Sequence, residues 1–175
     1  HCYKQAHLRI ADLLIPPRVR AFREAVVNDR CREVQAHLQS DADLAHAEFT
    51  GGRGIAQAIH HWKSVAVGQV LVDAGAHLDA LTTLGESPLT MQLRFGTVEG
   101  VRFLLEKGVN PNIGRGGHMP SDRMEEMIVL LLAHGWVMDH AYMLHDANHG
   151  HGTRVQTWLR YGADANACNE AGRTA

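Results

Sequence analysis

The chain has 175 residues, 45% of them hydrophobic and 21% charged, with a formal net charge of −2. That is the composition of a folded globular domain with enough chain for a sizeable core, and its charge balance provides no global attraction for nucleic acid or an anionic membrane. The longest apolar run, Met127 to Ala133, falls far short of the ~20 residues that cross a bilayer.

The first 18 residues form a leader, HCYKQAHLRIADLLIPP and Arg18, in which Leu8, Leu14 and Ile15 recur at roughly helical spacing before Pro16 and Pro17 stop the pattern. It reads either as the tail of a preceding unit or as a capping helix. Basic residues lean toward this end (Lys4, Arg9, Arg18, Arg20, Arg23, Arg30 and Arg32), but Asp12, Glu24 and Asp29 interleave. The stretch is read as a solvated face in preference to a phosphate-binding arm. Cys2, Cys31 and Cys168 are dispersed and lack CxxC spacing, so they make no disulfide framework and a reducing, intracellular compartment is the expectation. No signal-peptide pattern opens the chain, yet it begins at His1, and both ends read as cut.

From residue 19 onward one phrase repeats. An apolar run ends in Gly at VGQVLVDAG (Gly75), GVRFLLEKG (Gly108), MIVLLLAHG (Gly135) and RVQTWLRYG (Gly162), and a degenerate copy, EVQAHLQSDA, ends at Ala42. Three and four residues before each Gly stand Val72 and Leu71, Leu105 and Leu104, Leu132 and Leu131, Leu159 and Trp158; Leu38 continues the column. The Gly suits a helix end that turns left-handed, a conformation only glycine adopts without steric cost. Upstream, GESPLTMQLRFG offers Ser87 as a helix N-cap and Pro88 as the first helical residue, with Leu89 and Leu93 on one face. Each unit therefore predicts a turn, a short helix, a tight turn, a second apolar helix and a Gly exit. Neither helix can bury its apolar face alone, so units must stack.

The period is 33 residues from Ala42 to Gly75 and again to Gly108. With that period, the GESPL stretch (85–89), the LLEKG and LRYG helix ends and the closing phrase GADANACNEAGRT (162–174), the chain resembles the ankyrin repeat family, although Thr90 stands where the family usually has His. The resemblance implies an all-α solenoid of about five stacked helix-turn-helix units joined by short hairpins or loops. Their bounds are about 19–47, 48–80, 81–113, 114–140 and 141–167, with 168–175 beginning a further unit. Gly108 to Gly135 and Gly135 to Gly162 are each 27 residues. The fourth unit thus has room for only a stub of first helix, while the fifth keeps a full one, about Tyr142 to His149, and loses the turn before it. The shortening reads equally as drift in a tolerant array or as reshaping of a binding surface.

Similar proteins bind other proteins through hairpin tips and first helices. By position, the tip sites fall on Leu81, Thr83, Leu84 and Glu86; the sites ending the first helix fall on His61 and Trp62, Arg94 and Phe95, and Asn148 and His149. Thirteen residues before the exit site the chain reads Asp29, Trp62, Phe95 and His149. Aromatics at consecutive copies of a normally solvent-facing site either pack between neighbouring inner helices or anchor a partner. As anchors, both can be removed without loss of helicity. His145 and His149 lie one helical turn apart, with His151 nearby, but Asp146 stands where a zinc-protease motif needs Glu and His151 matches the family's inter-helix Gly-His. GGRG (51–54) and GRGG (114–117) read as turns, and no nucleophile elbow, Walker loop or dinucleotide fingerprint is present. The expectation is a protein-interaction module without catalysis, cofactor, metal, nucleic acid, membrane or small-molecule substrate. The rival is a docking or regulatory arm of a larger enzyme.

Overall fold

The computed structural model describes residues 15–51, 54–114, 119–168, 172 and 174, so most of the leader, and residues 169–171 and 173 of the closing phrase, lie outside the described residues. The described chain is mostly helical. It divides into two compact units, His1–Gly117 and His118–Ala175.

In the first unit, α1 (Pro17–Val27) starts at a proline whose fixed φ suits a first helical residue, and it buries Phe22, Ala25 and Val26. It lies against α2 (Cys31–Ser40), which buries Val34 and Leu38. A short 3-10 turn, Ala42–His46, follows. Where the repeat predicts a first helix leading to His61 and Trp62, the chain instead forms a hairpin of β1 (Glu48–Gly51) and β2 (Gly54–Gln57), paired antiparallel with Glu48 opposite Gln57. The cause is local. The run Thr50-Gly51-Gly52-Arg53-Gly54-Ile55 holds three glycines, each costing about 1 kcal/mol inside a helix, between β-branched residues that favour strands. All that remains of the helix is the 3-10 turn Ala58–His60.

Three capped helices complete this unit. α3 (Val65–Asp73) is capped by Ser64, whose backbone N–H and hydroxyl both donate to Asp29 Oδ1, at 3.2 and 2.5 Å. α4 (Pro88–Phe95) begins as the sequence predicts, with Ser87 as N-cap. Thr90, in the position of the resembled family's His, closes a reciprocal cap: its hydroxyl accepts from Ser87 N–H (2.8 Å) while Ser87 Oγ accepts from Thr90 N–H (3.2 Å). α5 (Val98–Glu106) is capped by Thr97, which accepts from Gly100 N–H. α2 packs on α3, α3 on α5, and α4 on α5.

In the second unit, residues 121–123 form a turn and no helix precedes α6 (Met124–Ala133) among the described residues, so the expected stub is not found there. The expected first helix of the fifth repeat is present as α7 (Ala141–Asn148), packed on α8 (Gly152–Arg160). Asp146 joins them: its carboxylate accepts from Trp158 Nε1 at 2.7 Å and pairs with Arg154 Nε at 3.0 Å, while Arg154 Nη1 donates to the Met119 carbonyl at 2.6 Å. Asp146, Arg154 and Trp158 are all buried, and a charge so buried requires a partner of this kind.

The Gly exits share one geometry. At Gly75 (φ 82°) the Gly N–H donates to Val72 O and Ala76 N–H to Leu71 O, and the same pair of bonds recurs at Gly108, Gly135 and Gly162. Asp29 and Gly150, with positive φ, end α1 and α7 in the same way. Ala42 does not: the C-cap Asp41 is extended and Ala42 opens the 3-10 turn.

The core of the first unit is organised around Trp62. It is 3% exposed, which overturns its placement on a solvent-facing surface. Its indole sits between two helices at the points where each lacks a side chain. A Cβ added at Gly68 of α3 would lie 3.0 Å from Trp62 Cε3, and one at Gly100 of α5 would lie 3.3 Å from Cη2 and 2.6 Å from Gln92 Oε1. Phe103 meets the indole edge-on, at 5.7 Å between ring centres. Replacing Gly100 with Ala, which gains about 1 kcal/mol in an ordinary helix interior, is expected here to destabilise by about 1–3 kcal/mol through overpacking, read as a lowered urea midpoint. Trp62→Ala is expected to cost about 3–5 kcal/mol by leaving a cavity, with helical circular dichroism lost at a lower temperature.

Candidate functional site

A groove of about 450 Å³ opens in the first unit. One wall is the 3-10 turn and the residues after it, His60 to Lys63; the other is the C-terminal end of α4, with Met91, Gln92 and Phe95; Val27 of α1, Gly96 and Thr97 complete the lining. A buried strut joins the walls, since Gln92 Nε2 donates to the Trp62 carbonyl at 3.1 Å. Gly96 is required beside it, because a Cβ there would overlap Gln92 Oε1.

The two histidines of the first wall are held neutral. His60 is buried; its Nδ1 accepts from Gln57 N–H at 3.3 Å, which leaves Nε2 to donate to the Ala80 carbonyl at 2.9 Å. Burial is the main cause that pushes its pKa below the ordinary 6.5. For His61, burial first and then repulsion by His60 and Arg23 lower the pKa to about 4.

The second wall ends in Phe95, 56% exposed at the last residue of a capped helix. The Arg94 guanidinium lies 5.6 Å from the Phe95 ring centre and pairs with Glu86 at 2.6 Å. Glu86 is buried, so it supports the tip from within and is not presented on it. The tip itself is held by Thr82, whose hydroxyl accepts from Leu84 N–H and Glu86 N–H while its own N–H donates to Glu86 O. Gly85 turns the chain at φ 76°. That leaves Leu81 and Leu84, 53% and 59% exposed, and Thr83 on the outside.

Of the residues singled out from sequence, His61, Trp62 and Phe95 therefore line one groove, and Arg94 connects Phe95 to the tip through Glu86. Lys63 and Gln92 escaped notice. Lys63 lies one residue past the positions that the resemblance marks, and Gln92, one turn on from Leu89, is a polar residue that an apolar pattern passes over. His149 belongs to the second unit, where its exposed ring stacks on His145 at 4.2 Å and its Nδ1 is engaged with the His145 carbonyl. The neighbouring Asp146 carboxylate is occupied by Arg154 and Trp158. Among the described residues no group of three or more His, Cys, Asp or Glu is placed to hold a metal ion, and no helix is long and apolar enough to cross a membrane. GGRG and GRGG lie mainly outside the described residues.

No family model matches the sequence, and no curated protein matches it significantly.

Two outcomes follow from this geometry. Phe95→Ala is expected to change stability by less than about 0.5 kcal/mol, in contrast to Trp62→Ala, when both are measured by urea unfolding. His60 and His61 bind protons less readily folded than unfolded, so their contribution to stability is complete above pH 6.5 and is lost as pH falls toward about 4. The urea midpoint is expected to fall across that window, and a His60→Asn, His61→Gln double variant is expected to show a shallower fall there.

Proposed function

We propose that this chain is an ankyrin-type array of stacked helix pairs that binds a partner protein inside the cell and performs no catalysis. The 33-residue period, the shared exit geometry of the Gly-terminated helices and the contacts of α2 with α3 and of α3 with α5 support the array. The observation that carries the binding reading is Phe95: a large aromatic, 56% exposed, on a capped helix at the mouth of a groove. Leaving such a ring in water forfeits its burial energy, and interface aromatics commonly contribute ~2 kcal/mol or more on truncation. The ring is preorganised, since a capped helix and the Gln92 strut hold its wall in place, and little ordering entropy opposes association. Leu81, Thr83 and Leu84 on the tip supply a second set of contacts.

Affinity capture from a lysate tests this, with the intact chain and its Phe95→Ala variant as baits of equal helicity. A protein retained by the first and recovered about tenfold less by the second is the expected result. Equal recovery removes Phe95 from the binding face, and capture of nothing by either bait counts against the interaction reading itself.

A further inference from the structure

Among the groups that line the groove, the polar atoms are unequally committed. His60 is bonded on both ring nitrogens, to Gln57 and Ala80, and the Gln92 amide nitrogen is used by the Trp62 carbonyl. His61 is neutral at physiological pH. Arg94, beside the groove, is already paired with Glu86. Lys63 is different. It is exposed, it makes no ion pair among the described residues, and it is the sole permanently charged side chain in the lining, which contains no carboxylate. Of the remaining lining, Val27, Met91 and Phe95 are apolar, and the Thr97 hydroxyl is engaged in capping α5, where it accepts from Gly100 N–H.

We infer that the groove receives a short segment of the partner protein in which an Asp or Glu carboxylate pairs with Lys63 while an adjacent apolar side chain lies against Phe95 and Met91. This rests on the protein-binding function proposed above and names the chemistry of the partner. The charge pattern selects a carboxylate over a base or a neutral segment, because a cation brought into an interface without a counter-charge is penalised. It also disfavours a nucleic-acid strand, which requires a track of cations, whereas the lining has one and the chain is net negative. The volume, about 450 Å³, falls within the range of sites that enclose small ligands.

The test uses the 175-residue chain and a displayed library of random dodecapeptides. Selected peptides are expected to carry Asp or Glu within two residues of Phe, Leu, Met or Trp. Their affinity is expected to fall about tenfold or more with Lys63→Glu and with Phe95→Ala, and to be unaffected by Arg32→Glu, which changes net charge equally on an exposed face of α2. Replacing the peptide's acid with Lys is expected to restore binding to the Lys63→Glu chain. Selected peptides that lack an acid, or that ignore both substitutions, overturn the groove assignment and leave the protein-binding function standing. Failure to select any peptide, while a captured protein still depends on Phe95, overturns the short acidic segment alone. Failure of both experiments overturns both readings.

Discussion

The indole of Trp62, seated where α3 and α5 each present a glycine, is the contact on which the first unit depends. Fully burying an indole removes roughly 150–250 Å² from water, worth about 4–6 kcal/mol. Against that stand two glycines inside helices, at about 1 kcal/mol each, and an indole N–H with no hydrogen-bond partner among the described residues, at about 1–3 kcal/mol. The balance favours the wedge, and its position decides much else. It sets how closely α3 and α5 approach, it places the Trp62 carbonyl where Gln92 can bond it, and it thereby fixes the separation of the two groove walls. Phe103, one turn on from Gly100 on the same face of α5, meets the indole edge and extends the contact along that helix.

Helix ends do the second half of the work. Six of them turn left-handed with the same two backbone hydrogen bonds, so most helices stop at a defined residue and the following turn leaves in a defined direction. Side chains then carry information across the turns. Asp29 accepts from Ser64 at the start of α3, Asp79 accepts from the Asn110 N–H, and in the second unit His140 accepts from the Asp164 N–H. Each of these links joins segments 24 to 35 residues apart. Neighbouring turns are thereby tied to one another in addition to the packing of the apolar core, which helps short helices that cannot fold alone to cohere.

Trp62 and Phe95 show how one repeat position can serve two ends. Both stand thirteen residues before a Gly exit. Trp62 follows a single 3-10 turn, so it is drawn inward, and it meets helices with glycine at the point of contact. Phe95 is the last residue of an eight-residue helix and remains at the rim, with Arg94 beside it. A loop wall and a helix wall therefore face each other across the groove, and only the helix wall presents its aromatic ring to solvent.

The local chemistry was legible from the residues. Glycine's tolerance of positive φ, the Ser87-Pro88 start of α4 and the extent of α7 follow from short-range sterics and hydrogen bonding that the neighbouring sequence contains. The exposed candidates Phe95, Leu81, Thr83 and Leu84 came instead from the resemblance to the ankyrin family, which implies binding sites at those positions. Three things required the tertiary structure. The hairpin at 48–57 replaced a helix because glycines and β-branched residues outweighed the periodic register; that signal was present, but its strength was settled by Phe49 finding a buried place beside Phe22. Glu86 went inward because Arg94, eight residues on, offered a counter-charge. And Trp62 became core, with Lys63 and Gln92 brought to the groove beside it, because packing depends on which atoms are missing from a neighbour. The glycines at 68 and 100 can be read from the sequence, but that they face one indole is a fact of three-dimensional arrangement.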